Sequence, residues 1–169
     1  DTDGDWNLAS ASFTVPSGTT ALGIAFVCSA SSLYSIDDVL LEVGTEAGQT
    51  IDFAAGTEIG GTTGGNNDNS NNNEPVTPPT PPAEAIFFES FATSQGDFTI
   101  ENKTLPSELE YVWKHEIYNG KAHMKASAYK EKALASESWL ISPEIDLTNA
   151  TTAYLSFEHT GKYYVDKTK

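Results

Sequence analysis

Arginine is absent from this sequence, and lysine is absent from its first 102 residues, which carry fifteen acidic side chains. The remaining residues balance nine acids with nine lysines, so the whole formal charge of −15 lies in the first part of the chain. Without arginine there is no planar fork for phosphates or base edges, and an acidic field repels nucleic acid and anionic membrane surfaces. Nucleic-acid binding and direct membrane insertion are therefore not expected. The acidity reads either as solubility for an exposed protein or as divalent-cation binding. Cysteine occurs once, at Cys28, which excludes an intrachain disulfide and a thiolate metal cluster. Leu22, Ile24, Phe26 and Cys28 fall on one face of a strand, so the thiol is expected to be buried and inert. The three histidines, His115, His123 and His159, fall in separate segments without HExxH spacing, which argues against zinc. GGTTGG lacks the Gly-Lys-Ser/Thr of a phosphate loop, and no GxSxG elbow occurs. There is no signal-type apolar run, and a chain that opens at Asp1 reads as an excerpt of a longer protein, with any export signal encoded elsewhere.

What is present divides the chain in three. Residues 56–83, GTEIGGTTGGNNDNSNNNEPVTPPTPPA, hold almost nothing that enters a core. Their composition predicts a flexible coil running into a stiffer polyproline rod. The flanking pieces, 1–55 and 84–169, are each small for a stable β-sandwich.

Both pieces read as strands, at 6–15, 21–29, 33–43 and weakly 51–53 in the first, and at 85–91, 97–101, 111–118, 121–128, 136–142 and 152–159 in the second. In YSIDDVLLEV, strict alternation puts Asp37, Val39, Leu41 and Val43 on one face and Tyr34, Ile36, Asp38 and Leu40 on the other, so one aspartate must sit at the edge of a buried face. In ATTAYLSFEH, Ala153, Leu155 and Phe157 alternate with Tyr154, Ser156 and Glu158, the pattern of a strand with one wet face. The stretch 127–138 has helix-compatible composition but lies where a hairpin loop would rise, and is expected to be loop or a single turn. The fold class expected is all-β, a jelly-roll-like antiparallel sandwich.

Three polar or aromatic features invite a function. Glu89 lies inside IFFESF, where a carboxylate needs a cation or several donors; otherwise it is an edge glutamate facing water or capping backbone amides. DTDGDW has acidic residues at positions one, three and five, but Trp6 replaces the glycine of a calcium loop and Ser12 its bidentate glutamate, so a polar loop is expected. In ESWLISPEIDL, Pro143 sets an extended turn, with Trp139 and Ile141 expected to anchor the core; a sugar platform at Trp139 is the alternative.

AIFFESFATSQGDFTIEN, then a YVW strand, then ESWLISPEIDLTNATTAYLSFEHTGKYY resemble the opening half of the choice-of-anchor J domain, over residues 85–165. The related cleaved-adhesin modules of gingipain-type proteins share the FxESF opening and the W-L-x-S/T-P motif. Residues 6–43, with FTVPSGTTALGIAF and YSIDDVLLEVG, resemble the closing half of the same domain or of jelly-roll carbohydrate-binding modules. The resemblance implies a non-catalytic, extracellular or cell-surface module of a bacterial protein, with adhesion to glycan or host protein as its function. It implies a structural calcium joining first and last strands, held by Glu89 and Asp38, with Asp37 as substitute and Asp97 completing the shell. Trp113 and Tyr118 are the aromatics expected to meet a ligand. An architectural spacer stabilised by calcium is the alternative, and an accessory part of a secreted hydrolase the third reading. The order departs from the family, because closing strands precede opening ones. The pieces are therefore halves of tandem modules, or close on each other as a permuted sandwich, or complete each other between chains.

Overall fold

The computed structural model describes residues 5–29, 33–44 and 85–162, and no helix occurs among them. The expected strand at 51–53, the 56–83 stretch and the first four residues of DTDGDW lie outside the described residues. The strands are β1 (Asn7–Thr14), β2 (Ala21–Leu22), β3 (Ala25–Cys28), β4 (Leu33–Val43), β5 (Ala85–Glu89), β6 (Thr99–Thr104), β7 (Trp113–Tyr118), β8 (Lys121–Ser127), β9 (Tyr129–Lys130), β10 (Lys132–Ala133), β11 (Glu137–Ile141), β12 (Ile145–Asp146) and β13 (Thr152–Lys162).

All pairings are antiparallel, and the architecture is an all-β sandwich. The large sheet has the order β1-β13-β4-β8-β7, with β5 on the same edge of β4 as β8: β8 pairs with 33–36 and β5 with 39–42. The small sheet has the order β3-β11-β6, and β2 pairs with β12 beside it. Leu140, Phe26, Cys28 and Ile100 from the small sheet share one core with Ile36, Val39, Leu41, Met124, Ala126, Trp113 and Ala153 from the large one. Phe26 and Phe157 meet edge-to-face at 5.0 Å between ring centroids, a contact that joins the two layers. Cys28 is buried, as its alternation with Phe26 requires. Within 127–138, residues 129–133 form the small β9–β10 hairpin, turned by Glu131 at φ 62°, a loop follows, and 137–138 already belong to β11.

Two strands differ from the expected phase. Along β4, Ile36 and Val39 are both fully buried in the same core although they lie three residues apart. The reason is a β-bulge: Asp37 pairs with Glu158 and Leu40 with Ser156, so Asp38 and Val39 together face Phe157, with Asp38 at φ 48°. Aspartate tolerates that left-handed conformation better than most residues. The extra residue places Tyr34, Ile36, Val39 and Leu41 inward and turns Asp37 to the outer face with Glu42. Along β11, Ser138 and Leu140 are the fully buried residues, so Trp139 and Ile141 do not anchor the core. Trp139 lies half-buried on the outer face, its indole N–H donating to Glu137 Oε1 at 2.9 Å and the Lys103 ammonium 5.5 Å from its ring.

Trp113 also corrects an expectation. It is 1 % exposed, and its indole N–H donates to the Ser138 carbonyl at 3.1 Å across the sandwich. A ring enclosed on both faces offers nothing to a ligand. Tyr118, in contrast, is 66 % exposed at the β7–β8 turn.

Candidate functional site

The outer face of the large sheet carries a buried charge cluster. The bulge at Asp38 sets Asp37 beside Glu158, and carboxylate oxygens of Asp37, Asp38 and Glu158 lie within 4.8 Å of one another. Lys121, from the start of β8, places its ammonium 3.4 Å from Asp37 Oδ2 and in direct contact with Glu158 Oε2. The Asp38 amide donates to Asp37 Oδ1 at 3.0 Å. Trp6 covers the group, with Lys121 Nζ 4.2 Å from its ring centroid and the His123 ring edge-on at 5.5 Å. The cover comes from just before β1 and reaches β8 across β13 and β4. Burial, with the Asp38 charge adding to it and Lys121 opposing, pushes the Asp37 carboxyl from 3.8 up to about 8. One ammonium among three carboxylates leaves negative charge in excess, and retaining a proton on Asp37 relieves it. Burial likewise holds His123 below the usual imidazole range, although its Nδ1 meets the Lys121 carbonyl at 3.1 Å.

Glu89 and Asp97 belong elsewhere. Glu89 Oε1 accepts the Phe91 amide at 2.8 Å, the Ser90 amide adds a second bond, and the carboxylate packs on Gly96. Gly96 has φ 59°, and a Cβ there would stand 1.7 Å from Glu89 Oε2. His115 Nε2 bonds the Phe91 carbonyl at 2.8 Å, which fixes Phe91 in the core at φ 49°. Glu89 is thus a carboxylate that caps backbone amides at the end of β5. Burial raises its pKa, and the nearby Asp97 charge acts in the same direction while the Phe91 bond opposes both.

The four expected calcium ligands are therefore not gathered in one place. Asp37 and Asp38 are joined by Glu158, while Glu89 serves the 89–97 loop. Calcium takes six to eight oxygens. Asp37, Asp38 and Glu158 form an acidic group whose geometry could hold a metal ion, and the Lys121 ammonium already pairs with two of its three carboxylates.

A cleft of about 310 Å³ opens between the 108–111 loop and the β9–β10 hairpin. Its floor is built on a cross-strand pair of like charges, Lys114 opposite Lys125. Such a pair repels unless neutralised. Glu116, two residues along β7, accepts from both, at 2.6 Å from Lys114 and 2.7 Å from Lys125. Burial would raise its pKa, but the two lysine bonds outweigh it and hold Glu116 below the usual carboxylate range. The walls carry Tyr111, 42 % exposed, and Tyr129, 60 % exposed. Lys114 Nζ lies 5.2 Å from the Tyr111 ring centroid, the Tyr129 hydroxyl donates to the Glu131 carbonyl, and Lys130 ties the hairpin to the Glu108 carbonyl at 3.0 Å.

Sequence reasoning missed Lys121 and Glu158, because the bulge that unites them with Asp37 is invisible to strict alternation. It also missed the Tyr111 and Tyr129 pair, of which Tyr111 lies two residues before β7 and Tyr129 opens β9 beside Lys130. No family model, no curated protein and no solved structure matches this chain.

Proposed function

We propose that this chain is a non-catalytic, jelly-roll-like module of the choice-of-anchor J kind, displayed outside a bacterial cell, and that it binds a saccharide in the cleft between Tyr111 and Tyr129. The observation that carries the reading is the pairing of two exposed tyrosine rings across a concave, hydrogen-bonding floor. Aromatic faces stack on pyranose rings and their hydroxyls provide directional contacts. Glu116 bridges Lys114 and Lys125, and with Glu108 and Glu110 it balances those two lysines and Lys130, so the cleft offers donors and acceptors without a strong field of one sign, which suits an uncharged, hydroxyl-rich ligand. The family resemblance of ESWLISPEIDL supports the extracellular setting.

Four carboxylates held in fixed geometry have other work, which supports a non-catalytic reading. Glu116 is ionised between two lysines, Glu89 caps amides, and Asp37 and Glu158 face Lys121. Glycoside hydrolysis needs one carboxyl group to act as acid opposite a second carboxylate. A glycan array on the full chain is the test. Tyr111→Ala and Tyr129→Ala are each expected to weaken binding about 3- to 10-fold, from loss of roughly 0.5–1.5 kcal/mol of aromatic contact. Tyr118→Ala, outside the cleft, is the control. Binding that ignores both cleft tyrosines, or silence across all sugars, defeats the proposal.

A further inference from the structure

The four strands of residues 7–43 share one property: none pairs with another of the four. β1 pairs with β13, β2 with β12, β3 with β11, and β4 with β13, β5 and β8. The dependence is mutual, since the ladders of β13 run only to β1 and β4 and that of β5 only to β4, among the described residues. Residues 7–43 thus act as a donor of strands, and residues 85–162 as an acceptor with an open slot between β13 and the β5/β8 edge. The slot is apolar: Ile36, Val39 and Leu41 of the donor fill a core made by Trp113, Met124 and Ala153 of the acceptor.

The connection between the two is far longer than the geometry requires. Glu42 pairs directly with Ala85, so the chain leaving β4 and entering β5 has only one strand spacing to cross, about 5 Å. Antiparallel neighbours of this kind are joined by about 2–5 residues. Here residues 45–84 intervene, a stretch whose fully extended reach is on the order of 130 Å. That reach lets a donor enter the slot of its own chain or of another with the same contacts made in each case. Closure within one chain through a long connection corresponds to an effective concentration of about millimolar or less.

We propose that the chain is a strand-exchanging unit, in which the acceptor at 85–162 takes the 7–43 donor of a second copy. Reciprocal exchange closes a dimer with every slot filled, whereas one-way transfer leaves one free donor and one open slot at the ends of a linear string of identical sandwiches. This partner is independent of the saccharide cleft, which lies entirely within the acceptor.

The test uses two full-length chains, each carrying Cys28→Ala. One also carries Ser10→Cys and the other Ser156→Cys, positions directly opposed in the β1–β13 ladder. A chain with both new cysteines reports whether the ladder forms at all. The two single-cysteine chains are unfolded, mixed, refolded over a concentration series and oxidised. Mixed disulfide dimers are expected to rise with concentration to about a quarter of the protein near millimolar, with none from either chain alone. In parallel, light scattering of the unsubstituted chain refolded at the same concentrations should show masses in multiples of 18.1 kDa. Monomer at every concentration by both measurements, or failure of the double-cysteine chain to close its disulfide, would overturn the proposal.

Discussion

Replacing Asp37 by asparagine should stabilise this protein at neutral pH, although it removes a salt bridge. Asp37 is 4 % exposed, shares one ammonium with Glu158, and has Asp38 beside it. Its carboxyl is pushed from 3.8 up to about 8 by burial first and by the Asp38 charge second. The folded chain therefore holds this proton more tightly than the unfolded one. The contribution is complete below pH 3.8 and is lost as pH rises through about 8. At pH 7 the linkage amounts to at most about 4 kcal/mol, and relaxation and water entry reduce the net benefit of a neutral isostere to roughly 1–3 kcal/mol. Thermal melts of wild type and Asp37→Asn from pH 4 to 9 provide the assay. The variant should gain about 3–10 °C at pH 7, and the gap should close toward pH 4. A variant that melts lower than wild type at neutral pH, or a gap that does not vary with pH, would refute the one-cation, three-carboxylate reasoning.

Gly96→Ala should lose more than about 2 kcal/mol by chemical denaturation, since it adds left-handed strain and drives a Cβ into the Glu89 carboxylate; an unchanged midpoint would mean that the 89–97 loop is not held as described. Trp113→Ala should cost about 3–5 kcal/mol and Trp139→Ala about 1 kcal/mol or less, although the sequence reading of ESWLIS places Trp139 in the core; a loss at Trp139 as large as at Trp113 would contradict the assigned phase of β11. Millimolar calcium and a chelator should give superimposable melts, because Lys121 already faces the carboxylates that an ion would need; a chelator-dependent fall in melting temperature would show that the lysine yields.

The fold class was legible because the evidence for it is local. Alternating runs bounded by Gly, Pro and Ser marked the main strands, and the Phe26/Cys28 face was read correctly from period two alone. The two phase errors have separate physical causes. In β4, a single residue in left-handed conformation at Asp38 shifts every downstream side chain to the other face, and nothing in YSIDDVLLEV marks which of two aspartates takes it. In β11, both Trp139/Ile141 and Ser138/Leu140 are plausible inner faces by size, and the choice falls to Leu140 because Phe26 and Ile100 stand opposite it. Glu89 was correctly singled out as a carboxylate needing partners. Its partners are backbone amides of its own loop, which composition does not reveal. The charge cluster required Lys121, eighty-four residues from Asp37, and such a meeting follows only from the sheet order.

That order makes the account's central claim, namely that β4 of the first segment is an interior strand held between β13 on one side and β5 and β8 on the other, all three from the second. A protease site inserted between Asn69 and Ser70 tests it directly. After cleavage, the two fragments should elute together in size-exclusion chromatography under native conditions and part only in denaturant. Separation of the fragments without denaturant would contradict the account.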